Sequence, residues 1–256
     1  MPAYFSICFE CEKKKIYKDL VHDFCQGLLE NGFAFLSGYW GYEEDSLADI
    51  ITWNQRKLEE NFQLDRAEHH SHGYKQLLFS YGDFSEVRLF LLNFREEERF
   101  SFVVIIPEDE LISWKKGVPD YDGAKIDRLV QVCERMWQQP YVGAIQTELE
   151  LSDPVPQAEE IRDGAAPGVE PFAILPKAVW ESFREKKDRD VAGYTCESAC
   201  GYTCAEAAGD GVVLRLLGRD ERCGADQKDL KTSKDPKDSK DSKDSKDSNY
   251  SKIEKK

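Results

Sequence analysis

Residues 86–106 read EVRLFLLNFREEERFSFVVII. Two runs rich in aromatic and branched apolar residues, 86–94 and 100–106, flank the charged turn 95–99, and this pattern predicts a β-hairpin. Because successive side chains of a strand point to opposite faces, both faces of the hairpin are apolar. A hairpin with two apolar faces has to be covered on each side, so we expect it to be central in its sheet. Pro107 ends the second strand.

The segments on either side extend this hairpin into an α+β pattern. A predicted strand at 74–81 precedes it and makes a three-stranded meander, whose short turns require antiparallel pairing. Helices are predicted where apolar residues recur with the period of an α-helix. The remaining predicted elements are a strand at 3–9, a helix at 13–30 ended by Asn31-Gly32, a buried strand at 33–36, a helix at 45–64, a helix at 123–138 with Asp122 as its N-cap, a strand at 141–151 with one wet face, a loop at 152–171, a strand at 172–175, a helix from Pro176 and a strand at 212–217.

The predicted fold class is therefore α+β, with a mainly antiparallel sheet, a central β-meander and amphipathic helices packed on its faces. We expect residues 1–225 to form a single globular domain, with a weak boundary in the loop 152–171. Residues 226–256 contain four copies of Lys-Asp-Ser between Lys237 and Ser248. Such a segment cannot bury enough apolar surface to offset its ordering entropy, so the tail is predicted to be disordered.

The folded part is strongly acidic. The whole chain has 35 Lys and Arg against 49 Asp and Glu, a net charge of −14. Residues 226–256 carry ten Lys and eight Asp or Glu, a net of +2, so residues 1–225 carry a net charge of −16. An acidic surface repels phosphate backbones, which argues against direct nucleic-acid binding. It favours either simple solubility or attraction to a basic protein partner.

Targeting and redox signals point to the cytoplasm. No run approaches the roughly 18 apolar residues of a membrane span, so we expect no membrane contact. The start, Met1-Pro2-Ala3-Tyr4-Phe5, lacks the basic and apolar regions of a secretory signal. The eight cysteines are therefore expected to be thiols. Cys8, Cys25 and Cys133 lie within apolar runs and are predicted core thiols.

Common catalytic signatures are missing from the sequence. It contains no phosphate-binding Gly-x-x-x-x-Gly-Lys-Ser/Thr, no Gly-x-Gly-x-x-Gly, no His-Glu-x-x-His and no Gly-x-Ser-x-Gly. We therefore expect a protein that is not an enzyme and needs no cofactor. A pair of carboxylates leaves no local signature, so an enzyme that uses such a pair stays open as an alternative.

A cysteine cluster near the C-terminus gives a second alternative. Cys196, Cys200 and Cys204 are spaced four residues apart, which on a helix would place three sulfurs on one side. Together with Cys223 they could form a four-thiolate metal site or a redox site. Structural zinc sites usually use two separated Cys-x2-Cys pairs, and Gly193, Gly201 and Gly209 disfavour a continuous helix. No metal is therefore expected.

The aromatic loop 39–42, Tyr-Trp-Gly-Tyr, which follows Gly38, is the predicted contact site. Tyr and Trp are enriched at binding hot spots because they bury a large area and keep a polar group. Acidic residues follow the loop directly and suit a basic partner. The predicted partner-binding residues are Tyr39, Trp40, Tyr42, Glu43, Glu44 and Asp45. The alternative is that Tyr39 and Trp40 pack into the core.

The layout resembles the immunity proteins of bacterial polymorphic toxin systems. The resemblance covers about the first 110 residues. It lies in Asn31-Gly32-Phe33 after an amphipathic helix, in the loop Gly38-Tyr39-Trp40-Gly41, and in the hairpin 86–106 followed by Pro107-Glu108-Asp109-Glu110. It implies a small acidic cytosolic α+β protein that occludes a cognate toxin, for example a basic nuclease. It carries no catalytic residues over to this chain.

Overall fold

The computed structural model describes residues 3–62, 73–115, 117–150, 154–190 and 202–216. All of them belong to one structural unit, Met1–Gly218. The tail predicted to be disordered, residues 226–256, lies outside the described residues. Within those ranges, no helix combines the length and the apolar character that a membrane span requires.

In the part of the chain that the structure describes, nine strands form one sheet in which all neighbouring strands are antiparallel. The strand order is β10-β11-β9-β8-β1-β5-β4-β3-β2, and β6 and β7 form a separate hairpin. The strands are β1 (Tyr4–Glu12), β2 (Ala34–Gly38), β3 (Leu77–Tyr81), β4 (Phe84–Asn93), β5 (Arg99–Pro107), β6 (Ile112–Lys115), β7 (Val118–Tyr121), β8 (Val142–Leu149), β9 (Phe172–Pro176), β10 (Tyr202–Glu206) and β11 (Gly211–Leu216).

Five helices accompany the sheet in the described ranges. They are α1 (Leu20–Glu30), α2 (Leu47–Glu59), α3 (Gly123–Met136), α4 (Ala158–Arg162) and α5 (Lys177–Asp190). The predicted α+β class with a mainly antiparallel sheet is confirmed. The meander β3-β4-β5 is also present, but the middle strand of the sheet is β1, which pairs with β5 on one side and β8 on the other. Sequence order did not indicate this because both pairings join distant segments.

The sheet has a front face, which we define as the side packed against α1, α2 and α3. Alternate residues of the central strands point into this core, among them Phe9 of β1 and Phe102 of β5. Phe24 of α1 stacks on Phe102 with ring centroids 3.9 Å apart, and Phe9 meets Phe24 edge-on at 5.2 Å. Aromatic pairs of this kind add about 1 kcal/mol beyond the area that they bury.

The back face is covered in a different way. Over β8, β9 and β11 it packs against α4 and α5, where Trp180 and Phe183 lie in a separate apolar cluster. Over β1 and β5 a smaller cluster of Cys8, Val103 and Ile105 packs against Val155. The predicted second apolar face of the hairpin therefore exists. Its cover is the segment 154–162, which we call the strap.

Several element boundaries differ from the prediction. The first helix begins at Leu20 rather than near Lys13, because β1 continues to Glu12 and residues Lys13–Lys15 form a 3₁₀ turn. Helix α2 spans Leu47–Glu59 and is capped by the Ser46 side chain, which accepts the Asp49 N–H. The cap of α3 is as predicted, since the Asp122 side chain accepts the N–H groups of Ala124 and Lys125.

The wet face predicted for the strand 141–151 is wrong for most of β8. Gln146 is 1% exposed. Its amide group donates to the Pro156 carbonyl oxygen at 2.6 Å and accepts the Gly168 N–H at 2.8 Å. The Thr147 hydroxyl, also buried, donates to the Phe172 carbonyl oxygen. The loop 152–171 supplies both partners of Gln146, and β9 supplies that of Thr147, so polar residues of β8 bond to neighbouring segments instead of facing water.

Two carboxylates, the buried Glu10 and the half-buried Glu148, fasten the strap to the sheet. Glu10 of β1 pairs with Arg99 of β5 and accepts the Ala158 N–H at 3.0 Å. Glu148 of β8 accepts the Val155 N–H at 3.1 Å, and the Cys8 thiol lies 3.8 Å from it. Burial raises the pKa of both carboxyl groups above their ordinary value of 4.5, and their hydrogen bonds only partly oppose this.

The Glu148→Gln variant is therefore expected to be more stable than the native chain at pH 7.5. Because the pKa of the Glu148 carboxyl group is raised in the folded state, its protonation stabilises the fold fully below about pH 4.5. This contribution to the free energy of unfolding is lost as the pH rises through the folded-state pKa. Glutamine can still accept the Val155 N–H and stays neutral at every pH, so the variant does not lose this stability when the pH rises. Urea unfolding between pH 5 and pH 8 measures the effect. The matched control is Glu181→Gln on the exposed side of α5, and equal gains in both variants would contradict the explanation.

Candidate functional site

The loop that follows the edge strand β2 contains the predicted contact residues. We call Tyr39–Tyr42 the aromatic loop. It is closed at both ends, since the Tyr39 N–H donates to the Gln76 carbonyl oxygen at 3.0 Å and the Asp45 N–H donates to the Tyr42 carbonyl oxygen at 3.0 Å. Gly38 packs directly against the Tyr42 carbonyl group, where a Cβ atom would overlap the oxygen. The backbone of the loop is thus fixed on the end of the sheet.

Trp40 occupies the tip of this loop in an unusual backbone conformation. Its φ is 59°, and that of the following Gly41 is 92°. Glycine adopts positive φ readily, but a bulky side chain does so rarely and at a cost of about 1–3 kcal/mol. The Trp40 side chain is 64% exposed. The loop therefore adopts a backbone conformation that is unfavourable for tryptophan and that leaves the Trp40 ring facing solvent.

Two cations hold the tyrosines that flank Trp40. The Arg88 guanidinium of β4 lies between two rings, 4.4 Å from the Tyr4 centroid and 4.6 Å from the Tyr39 centroid. Arg88 Nε is 2.6 Å from Glu86 Oε1, but the two are not aligned as a hydrogen bond, so their attraction is between charges. Cation–π contacts contribute roughly 0.5–2 kcal/mol each, more when they are shielded from water.

Lys75 makes the equivalent contact on the other side of the loop. Its ammonium group lies 4.7 Å from the Tyr42 ring and 4.8 Å from the Trp53 ring. It also pairs with Asp45 at 2.6 Å. The predicted contact residue Asp45 is thus half-buried and engaged within the chain, and it helps to fix the loop.

The other two acidic residues face solvent. Glu43 accepts the Gly41 N–H at 3.0 Å, and hydrogen bonds from the backbone lower the pKa of its carboxyl group. Glu44 is exposed beside it. The structure brings the six predicted residues together. It divides them into an outward set, Trp40, Glu43 and Glu44, and a supporting set, Tyr39, Tyr42 and Asp45. The alternative of a core position is wrong for Trp40, while Tyr39 is half-buried.

Sequence reasoning missed Leu36, which belongs to the same surface. The segment 33–36 was predicted to be a buried strand, but only Phe33 is buried. Leu36 is 54% exposed, and Ala34 is exposed as well. A register shift between Phe35 and Ser37 places Leu36 in a bulge of β2. An apolar run alone does not distinguish an edge strand from a buried one, so no local signal identified Leu36.

The predicted cysteine cluster lies mostly outside the described residues, which include Cys204 but not Cys196, Cys200 or Cys223. Cys204 is exposed on strand β10, so the three cysteines do not share one helix, as the glycines around them already indicated. The described part of the chain contains no group of three or more His, Cys, Asp or Glu residues that could hold a metal ion. The core thiols Cys8, Cys25 and Cys133 are buried as predicted, and burial raises the pKa of Cys25 to about 12.

A back-face cavity of about 260 Å³ is lined by Glu10 and Glu148, among other residues. The register of β1 and β8 places Glu148 opposite Ser6 and Glu10 opposite Ala144. Four residues of strand therefore separate the backbone positions of the two residues, roughly 13 Å at about 3.3 Å per residue. Both carboxylates accept N–H groups of the strap, so they fasten it to the sheet.

No family model matches the chain. Comparison with the curated proteins gives no match. Comparison with the solved structures gives none either. The functional proposal consequently rests on the geometry of the aromatic loop and its surroundings.

Replacing Gly38 by alanine is expected to destabilise the protein by about 1–3 kcal/mol, because the new Cβ atom would force the Tyr42 carbonyl group out of place. The matched control is Gly123→Ala at the start of α3, where an added Cβ atom meets nothing within 4 Å. The control should change the free energy of unfolding by less than about 0.5 kcal/mol. Similar urea curves for the two variants would mean that the loop is not packed as described.

The Arg88→Lys variant keeps a charge for Glu86 but loses the planar group between Tyr4 and Tyr39. We expect a loss of about 1 kcal/mol in the free energy of unfolding, together with faster amide exchange at residues 39–42. Arg56→Lys is the control, since Arg56 lies 4.6 Å from the Trp53 ring on an exposed surface. Unaltered exchange in the loop after Arg88→Lys would exclude Arg88 as its support.

Proposed function

We propose that the chain is a protein-binding protein that docks a basic protein partner through the aromatic loop, and that it acts as an inhibitor or immunity protein by occluding that partner. The observation that carries this proposal is the position of Trp40. A bulky side chain with φ of 59° is held 64% exposed at the tip of a loop whose two ends are fixed. Backbone strain of this kind is concentrated at functional sites.

Preorganisation makes such a loop an efficient contact. A flexible loop loses conformational freedom when it binds, whereas this loop is already ordered by Arg88, Lys75 and the Gly38 packing. Tryptophan is among the most frequent hot-spot residues, and its truncation typically reduces affinity by 2 kcal/mol or more. Leu36 adds apolar area next to the loop.

Charge supports a basic partner. Residues 1–225 carry a net charge of −16, and Glu43 and Glu44 are exposed next to Trp40. A field of this sign accelerates the approach of a cationic protein, and it discourages association between two copies of the chain. Occlusion of a toxin such as a nuclease is the mode of action that the resemblance to immunity proteins implies, because nucleases present basic surfaces to their substrates.

Photo-crosslinking tests the proposal. A photoreactive phenylalanine analogue at position 40 is expected to form a covalent adduct with a basic protein in the cells that produce the chain. The same analogue at Trp114, which is 56% exposed on the separate β6–β7 hairpin, is the matched control and should not form that adduct. The same adducts from both positions, or none from position 40, would contradict the proposal.

The captured partner then permits a kinetic test. Trp40→Ala should weaken binding by about 30-fold or more, which corresponds to 2 kcal/mol. Glu44→Lys should lower the association rate at low salt, and the difference should shrink as the salt concentration rises. Trp114→Ala should leave both quantities unchanged. An association rate that does not respond to Glu44→Lys at low salt would remove the carboxylates from the proposed interface.

A further inference from the structure

The outer edge of β2 continues the surface that the aromatic loop begins. Among the described strands, β2 is the last in the order and pairs only with β3. Within the described ranges, no backbone hydrogen bond joins residues 34–38 to a segment other than β3. An edge strand of this kind presents N–H and C=O groups that can pair with a further strand.

This edge lacks the usual protection by charge. Edge strands commonly carry lysine, proline or inward-pointing charges that discourage pairing. Residues 31–42 read NGFAFLSGYWGY, twelve consecutive residues without a charge in a chain that is 33% charged. The bulge at Leu36 is the one protective feature of β2 in the described structure, and it limits a regular ladder to a few residues. Leu36 is the bulged residue itself, and its side chain is exposed.

The opposite edge of the sheet is different. Strand β10 is also terminal in the described sheet, but Thr203, Cys204, Ala205 and Glu206, which are exposed along it, are small or polar. Of the two edges, as far as the structure describes them, it is the β2 edge that combines exposed apolar side chains with a neighbouring exposed tryptophan and two carboxylates. The chemistry of the two edges therefore favours β2 as a contact for another protein.

We infer that the basic partner contributes a short extended segment that pairs with β2 as an additional strand. This inference rests on the proposed function and specifies its mode. The segment places an apolar side chain against Leu36 and Trp40, and it places lysine or arginine side chains near Glu43 and Glu44. Main-chain hydrogen bonds supply affinity, while the side chains select the sequence. Repulsion between chains with a net charge of −14 opposes pairing of β2 with a second copy.

The test uses the full chain and a capped seven-residue peptide of alternating lysine and valine, KVKVKVK. Nuclear magnetic resonance should detect binding through amide shifts at residues 34–44, with slower hydrogen exchange in β2. The control peptide carries methyl groups on all internal amide nitrogens, so it keeps the side chains and charges but cannot donate to the edge. It should bind at least tenfold more weakly. Equal binding of both peptides, or shifts confined to other regions, would overturn the inference.

Two variants complete the test. Leu36→Lys places a charge on the edge and should weaken peptide binding at least tenfold, whereas Trp114→Lys should leave it unchanged. Sedimentation of the free chain measures self-association. A dimer that Leu36→Lys disrupts would assign the edge to a second copy and overturn the inference.

Failure of strand pairing is distinguishable from failure of the proposed function. Absence of peptide binding at millimolar concentration, combined with the specific adduct at position 40, would reject the added strand and retain the basic partner. Absence of both would reject both.

Discussion

The central strands β1 and β5 have apolar side chains on both faces, and the rest of the fold follows from the need to cover each face. Three helices cover the front, where Phe9, Phe24 and Phe102 form an aromatic cluster. On the back, the cluster of Cys8, Val103 and Ile105 packs against Val155 of the strap. Residues 154–157 of the strap have no regular structure, so they need a means of being held against the sheet.

Polar side chains of the sheet, buried or half-buried, hold the strap in place. Glu10, Gln146 and Glu148 each bond to backbone groups of the segment 154–168. Buried carboxylates are expensive unless they are paired or hydrogen-bonded. Arg99 pairs with Glu10 and also lies 3.4 Å from Glu159 of α4, so the ion pair joins the sheet to the strap. These groups explain why polar residues alternate along β8 without facing water.

The aromatic loop depends on the sheet in the same way. Arg88 lies between rings from β1 and from the loop, and Lys75 between rings from the loop and from α2. The two cations thus connect the aromatic loop to β1, β4 and α2. The loop is constrained in this way and still exposes Trp40 with a positive φ, the combination on which the proposed function rests.

The sequence by itself determined the elements whose stability is local. The hairpin 86–106, the helix α3 with its Asp122 cap and the end of α1, where Gly32 has φ of 92°, follow from alternation, period and capping chemistry. It also identified the aromatic loop, because clustered tyrosine and tryptophan between glycines form a pattern within five residues.

Only the tertiary structure decided which strands are central and which faces meet water. Alternation indicates that a strand has an apolar face but not which segment covers it, so Gln146 was placed in water and Leu36 in the core. The supports of the loop were equally hidden, since Arg88 is 49 residues from Tyr39 and 84 from Tyr4 in the sequence. Contacts over such separations depend on strand order, and strand order is set by the packing of the whole sheet rather than by local preference.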